Sequence, residues 1–281
     1  MKNRKLVCKV CLSEAYFYLS HPEADLFRCN KCDHCFSDVN SMGNQENYEE
    51  NYFLEEHKNW FQNPNIKLFN KIKAFIYENN LCSVLDVGCG KGDLLRYLRD
   101  SDIQNALKLH GVDKTNNKDE NSIKYYVKNI YDFSIDKKYD LTTSLAVIEH
   151  VEDVKEFMDH LIKYTKPGAY ILVMTLNERS LLYEFSRILN FFLIKYPFQR
   201  LYSKHHLNHF NRQSLRQLGL DKNLEIISHL DHNIPFAAID FEAKNKLVEL
   251  IFKIGVYISF IIGKILKKSY LQTIIFRLPK N

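Results

Sequence analysis

The 281-residue chain lacks any apolar run long enough to cross a bilayer. Its longest uninterrupted run lies within "FEAKNKLVELIFKIGVYISFIIGKILKKSY" and is about ten residues, against the roughly 20 that a spanning helix needs. The first residues, "MKNRKLVCKVC", are basic but carry no apolar core, so no export signal is expected. Without export the compartment is expected to be reducing, which favours metal-bound thiols over disulfides. No dense Lys/Arg block accompanies the net charge of +5, so a nucleic-acid partner is not expected. Internal repeats and low-complexity tracts are missing too. What remains is ordinary globular composition, 46% hydrophobic and 26% charged, in a length that holds one large domain or a medium one with additions.

Five of the seven cysteines fall in the first 35 residues. Residues 1–40 therefore read as a small Cys-rich module. Residues 41–80 read as a helical linker or cap segment; they pass from a polar run into "IKLFNKIKAFIYENN", where Ile66, Phe69, Ile72 and Ile76 recur at helical spacing. From residue 81 to 281 strand and helix patterns alternate: "CSVLDVG", "DLLRYLRDS", "LKLHGVD", "IKYYVKN", "KYDLTTSLAV", "EDVKEFMDHLIKYT", "AYILVMTL". Alternation of this kind predicts an α/β fold, a largely parallel sheet covered on both faces.

"VLDVGCGKGDLL" runs from an apolar strand through Asp86, Gly88, Gly90 and Gly92 into a helix. Glycines there allow a sharp turn and close approach of backbone to ligand, and the helix start offers free N–H groups. A dinucleotide fingerprint would place its third glycine one position later, where Asp93 stands. A merely tight turn, or a dinucleotide site with a displaced glycine, are the alternatives. The D-x-G-x-G-x-G spacing resembles motif I of the class I S-adenosylmethionine-dependent methyltransferases. "LHGVD" ends on Asp113, placed to accept from both ribose hydroxyls; "YVKNIYDF" sets Asn129 and Ile130 where the family meets adenine; and "KPGAY" fits its Pro–Gly turn before the fifth strand. The resemblance spans roughly residues 80–178 closely. It implies a Rossmann-like, doubly wound seven-stranded sheet with an antiparallel last strand, and S-adenosyl-L-methionine as cofactor. The implied cofactor contacts are Asp86, Gly88, Cys89, Gly90, Gly92, Asp113, Asn129, Ile130 and Leu145.

Methyl transfer to a hydroxyl usually needs a base. His150 in "AVIEHVED", at the end of a sheet strand, suits that role, or else caps the next helix. Glu149 is a second catalytic candidate, or an ion-pair or loop contact. "YSKHHLNHF" holds His205, His206 and His209. On a helix His205 and His209 could bind metal, whereas resemblance to polysaccharide-locus and quinone-type methyltransferases makes the segment, His206 included, a substrate wall. Helical insertions are expected at about 179–202, as a lid or a packed core element, and at about 240–268. Within the second, residues 247–268 would lie on an anionic membrane surface, pack against the lid, or meet a second copy.

Cys8-x2-Cys11, then seventeen residues, then Cys29-x2-Cys32 fits a four-thiolate zinc ribbon whose role is structural. A cluster motif would need "x3-C-P" after Cys35, and a redox pair a thioredoxin-like frame; both are missing. Related methyltransferases carry a similar box with glycine after each knuckle, where this chain has Leu12 and Asp33.

The expected activity is methyl transfer to a small or carrier-linked acceptor. A sugar hydroxyl in surface-polysaccharide synthesis comes first and a quinone or other lipid phenol second, then a ribosomal RNA base, or cofactor binding without catalysis. The expected location is cytoplasmic, or peripheral at the inner membrane face. In this alignment Cys35 is a packing residue outside the metal set. Cys35→Val is therefore expected to leave the zinc stoichiometry, measured by elemental analysis, unchanged; a variant that loses the metal would contradict the assignment.

Overall fold

The computed structural model describes residues 4–41, 58–101, 107–115, 117–239 and 246–280. Most of the polar run at 40–59, and the start of the second insertion at 240–245, lie outside the described residues.

Two sheets organise the chain. The smaller takes β1 (Lys5–Val7), β2 (Glu14–Leu19), β3 (Leu26–Cys29) and β4 (Cys35–Ser37) from the Cys-rich module. The larger takes β5 (Ser83–Val87), β6 (Lys108–Asp113), β7 (Ile123–Val127), β8 (Tyr139–Leu145) and β9 (Thr165–Leu176). A two-residue strand from far along the chain, β10 (Asn208–His209), returns to the smaller sheet as its fifth member, antiparallel to β4. The large sheet then closes with β11 (Glu225–His232) and β12 (Leu271–Arg277) in the order β11-β12-β9-β8-β5-β6-β7. Only β12 runs against its neighbours, as the resemblance implied. Strand order reverses between β5 and β8, so the ends of those strands open a crevice for ligand.

The helices follow from their patterns. In α2 (Ile66–Glu78) the Asn65 side chain accepts from the Leu68 N–H, and Leu68, Phe69, Ile72 and Ile76 are buried. Ile66 is exposed instead, because Leu68 takes its place on the inward face. The glycine loop opens α3 (Asp93–Arg99). For α4 (Val154–Lys163) the cap is Asp153, which accepts from Lys155 and Glu156; His150 is not the cap. The first insertion folds as α5 (Leu181–Phe191) and α6 (Tyr196–Leu201), α7 (Arg212–Leu220) follows β10, and the second insertion is α8 (Lys246–Ile265).

Two sequence expectations fail locally. "KPG" is not a turn before the fifth strand. β9 already begins at Thr165, and its register against β8 jumps between Tyr139/Thr165 and Leu141/Tyr170. The extra residues form a bulge with Gly168 at φ +78, whose N–H is taken by the Leu278 carbonyl beside β12. The helix needed for a His205/His209 metal pair is also missing. His209 sits on β10 opposite Cys35, fully buried, because pairing with β4 outweighs any local helical tendency.

The seam between the two sheets is polar. Glu178, fully buried beyond β9, accepts from Arg28 Nη2 at 2.5 Å, Arg187 Nη1 at 2.7 Å and the Tyr202 hydroxyl at 2.6 Å. One carboxylate thus ties β3, α5 and the end of α6 together. Removing it leaves the Arg187 guanidinium without a carboxylate partner away from water, and leaves Arg28 only Asp33. Glu178→Ala is expected to lower unfolding stability by about 3–5 kcal/mol, measured by urea denaturation; a change under about 1 kcal/mol, typical of surface pairs, would show the network to be dispensable.

Candidate active site

A cavity of about 1460 Å³ opens at the C-terminal ends of β5, β6 and β8. One small ligand usually occupies a site of about 300–1,000 Å³, so there is room here for two.

One half is built by the sheet and the glycine loop. Gly88, Gly90 and Gly92 all hold positive φ, at 72, 53 and 84. They do so for different reasons. A Cβ on Gly88 would strike Val147, and one on Gly92 would come within 2.1 Å of the Tyr125 hydroxyl. A Cβ on Gly90 would meet nothing within 4 Å, because this glycine faces open cavity. The loop is a cradle at Gly90 and a packing joint at the other two. Gly92, expected among the cofactor contacts, does not line the cavity; it lets α3 approach Tyr125 of β7.

Asp113, at the end of β6, accepts from the Gly90 N–H at 2.8 Å and the Thr115 N–H at 2.7 Å. Each carboxylate oxygen keeps a further lone pair for a vicinal diol. Asn129, Ile130, Cys89 and Leu145 line the same half. Asp86, buried on β5, accepts from the Thr143 hydroxyl at 2.7 Å, and burial pushes its carboxyl up to about 7.

The turn after β8 carries the other half. Glu149 is buried and accepts from the Thr175 hydroxyl at 2.8 Å, and burial raises it to about 7. His150 reaches the carbonyl of His205 through Nδ1 at 2.6 Å. A carbonyl can only accept, so Nδ1 carries the proton and the neutral ring holds its basic lone pair on Nε2. The His206 ring lies 5.0 Å from that of His150; its Nδ1–H donates to the Leu201 carbonyl, and burial pushes it down to about 4. His205, His206 and Leu207 all face the cavity, in keeping with a wall rather than a metal site.

Sequence reasoning missed the group that aligns these parts. Asn208, fully buried on β10, donates to the Val151 carbonyl at 2.6 Å and meets Nε2 of His34 at 3.3 Å. It joins the Cys-rich sheet to the turn that presents Glu149 and His150. Only its place in "HHLNHF" marked it. Trp60, Phe252, Val256, Phe260 and Tyr270, also missed, close the cavity from above. Generic apolar residues of this kind carry no motif.

The methyltransferase domain family matches residues 59–229. The chain belongs to that family, the S-adenosylmethionine-dependent methyltransferases. It is 34% identical over 122 residues to a mitochondrial ubiquinone biosynthesis O-methyltransferase of Dictyostelium discoideum, covering 36% of this chain and 37% of the relative. To the ubiquinone biosynthesis O-methyltransferase of Rickettsia typhi it is 28% identical over 166 residues, covering 57% of this chain and 66% of the relative. The methyltransferase thus spans about one third to two thirds of the length of these relatives. Its fold is shared with the plantazolicin methyltransferase BpumL, crystallised with a monoazolic desmethylPZN analog and SAH, at a TM-score of 0.53 and 18% identity over 82% of this chain and 93% of that one. The open cradle at Gly90 and the acceptor oxygens of Asp113 fit the cofactor of this family.

The four thiols also lie together. All ligand atoms of Cys8, Cys11, Cys29 and Cys32 are within 4.8 Å of one another, with Cys8–Cys32 at 3.5 Å and Cys11–Cys29 at 3.4 Å. In each knuckle a backbone N–H points at the first sulfur, from Val10 to Cys8 and from Lys31 to Cys29. Leu12 and Asp33 hold φ of 59, so both turns keep the left-handed conformation that glycine takes elsewhere. Asp33 is held there by Arg28, Arg179 and Asn211. Cys35 is buried on β4 and is not among the four.

The raised carboxyl groups predict a pH dependence. An unfolded glutamate loses its proton near pH 4.5, whereas Glu149 in the folded chain keeps it to about 7. Between those values the unfolded state has fewer protons, so stability falls as pH rises. Glu149→Gln is expected to flatten that fall in the cofactor-free protein between pH 4.5 and 7, read from urea midpoints. Asp86 leaves a residual slope. An unaltered slope in the variant would show that Glu149 ionises normally.

Proposed function

We propose that the methyltransferase moves a methyl group from S-adenosyl-L-methionine to the phenolic hydroxyl of a quinone-type acceptor. The observation that carries this reading is the acceptor half of the cavity. It is walled by Leu182, Leu201, Phe252, Val256, Phe260 and Tyr270, a lining suited to a flat ring with an apolar substituent. That wall offers few partners to a sugar's hydroxyls, although Asn63, Asn65, Arg200 and Lys204 also line the cavity. The curated relatives, named as ubiquinone biosynthesis O-methyltransferases, support the phenol over the sugar in surface-polysaccharide synthesis that the sequence first suggested.

Once bound, the cofactor supplies an electrophilic methyl carbon on a positively charged sulfur. That carbon would be open to displacement by the phenolic oxygen, with the thioether sulfur as leaving group. His150 takes the phenolic proton on Nε2, while the His205 carbonyl holds the ring through Nδ1. His206 stays neutral at physiological pH and offers a hydrogen-bond acceptor at the wall. Glu149 and Asp86 set the charge of the floor. Cys8, Cys11, Cys29 and Cys32 would hold a Zn²⁺ ion as a closed structural site, remote from the chemistry.

His150→Gln keeps the size of the side chain but removes the base. With a catechol-type phenol as acceptor, kcat is expected to fall by roughly 10²–10⁴-fold at pH 7, with cofactor affinity by calorimetry unchanged. Raising the pH toward the phenol's own ionisation near 10 should narrow the gap. Equal rates in the two proteins would remove His150 from catalysis. Turnover of nucleotide sugars and none of phenols would overturn the acceptor.

A further inference from the structure

The two insertions leave an outward apolar surface that neither the cavity nor the core uses. On α8 the side chains split into two stripes. Phe252, Val256 and Phe260 face the cavity. Leu250, Ile254, Tyr257, Ile258, Ile261 and Ile265 point away and are exposed, from 45% at Ile258 to 74% at Ile265. On the first insertion Phe185, Ile188, Phe191, Phe192 and Leu193 are likewise exposed, with Phe191 at 81% and Leu193 at 79%. The two insertions are packed together. The Leu181 N–H donates to the Lys268 carbonyl at 3.0 Å, Lys268 pairs with Glu184 at 2.8 Å, and the Tyr196 and Phe252 rings lie 5.7 Å apart.

Charge selects the occupant. Residues 181–204 and 246–268 together hold nine Lys or Arg against two Glu, a net +7, while the whole chain carries only +5. The rest of the chain is therefore net negative by two on the same count. Arg187 is held by buried Glu178, and Arg200 and Lys204 line the cavity, so the outward charge is carried by exposed Lys195, Lys246, Lys264 and Lys267. A second copy meeting this face would set two cationic surfaces against each other. An anionic bilayer offers both what the apolar residues and what the lysines require. Among the described residues no helix is long and apolar enough to cross a membrane, so contact would be along the surface.

We infer that α5, the loop to Leu193 and the outer face of α8 form a docking surface for the headgroup–acyl boundary of an anionic phospholipid bilayer. The cavity walls contributed by Leu182, Tyr196, Phe252, Val256 and Phe260 lie on the inner side of the same elements, so a lipid-tailed acceptor reaches the site from that surface. This last step rests on the acceptor reading above; the docking surface does not.

The test uses the full chain, without acceptor, and sedimentation with vesicles of phosphatidylglycerol and phosphatidylcholine mixed, or of phosphatidylcholine alone. Binding is expected to the mixed vesicles, weakened in high salt and at least roughly tenfold weaker on phosphatidylcholine alone. The double variant F191E/I258E replaces two exposed side chains outside the cavity and should lose that binding about tenfold or more. Its cofactor affinity and its turnover of a short, tailless phenol should match wild type, showing that it folds. No binding to the mixed vesicles, or binding that survives the double substitution, overturns the inference. So does a wild-type dimer that F191E/I258E converts to monomer while vesicle binding is absent. Turnover failing on every phenol while vesicle binding persists would remove the acceptor reading and leave the docking surface standing.

Discussion

Asn208 is where the two halves of the molecule are made one. Its side chain donates to the Val151 carbonyl and meets His34 of the smaller sheet, while its backbone pairs β10 with β4. A buried amide that lost either partner would carry an unmet donor or acceptor in a dry environment. The turn holding Glu149 and His150 is therefore seated against the Cys-rich module rather than hung from the large sheet alone. A module of about 40 residues buries too little core to fold unaided, and metal binding is the usual source of the missing free energy. The Cys-rich module and the turn of Glu149 and His150 are joined through His34 and Asn208 and, on the flank, through Glu178 with Arg28 and Arg187.

This division explains why the two halves of the cavity are built so differently. The cofactor half comes from consecutive strand ends and one glycine loop, all within residues 84–145. Its groups are held by short local bonds, such as Gly90 N–H to Asp113 and Thr143 to Asp86. The acceptor half is assembled from distant pieces: the turn after β8, the loop before β10, two insertions and the start of β12. A family can keep the first half constant and vary the second, because a fold carries different functions by changing the pieces grafted on it.

The same distinction decides what could be read from residues alone. That Asp86, Gly88, Gly90, Asp113, Asn129 and Ile130 would meet around one cavity was legible because strand–loop–helix geometry is local. The four thiols were legible for the same reason, each pair sitting on one tight turn. Gly92 shows the limit: its position in the motif was right, but its constraint comes from Tyr125 on another strand. "KPG" was read as a turn because Pro–Gly usually is one, and only pairing with β8 and β12 turns it into a bulge. His209 was read against a helical period, although its conformation is set by Cys35 on a strand more than 170 residues earlier. No local pattern carries pairing over that distance.

The second insertion presents the opposite problem, since its sequence is apolar on every side and so predicts several environments at once. The fold separates them. Both ends of α8 are tied to the same sheet edge, through β11 before it and β12 after it. A helix of 20 residues is about 30 Å long, enough in length alone to span a bilayer, but this one enters and leaves on one side of the sheet. Lys253 and Glu249 pair across one turn within it, which a spanning segment would have to carry into hydrocarbon. The inner stripe is accounted for by the cavity. The outer stripe is left exposed. Because both stripes belong to one helix, whatever meets the outer face also bears on Phe252, Val256 and Phe260 at the cavity wall.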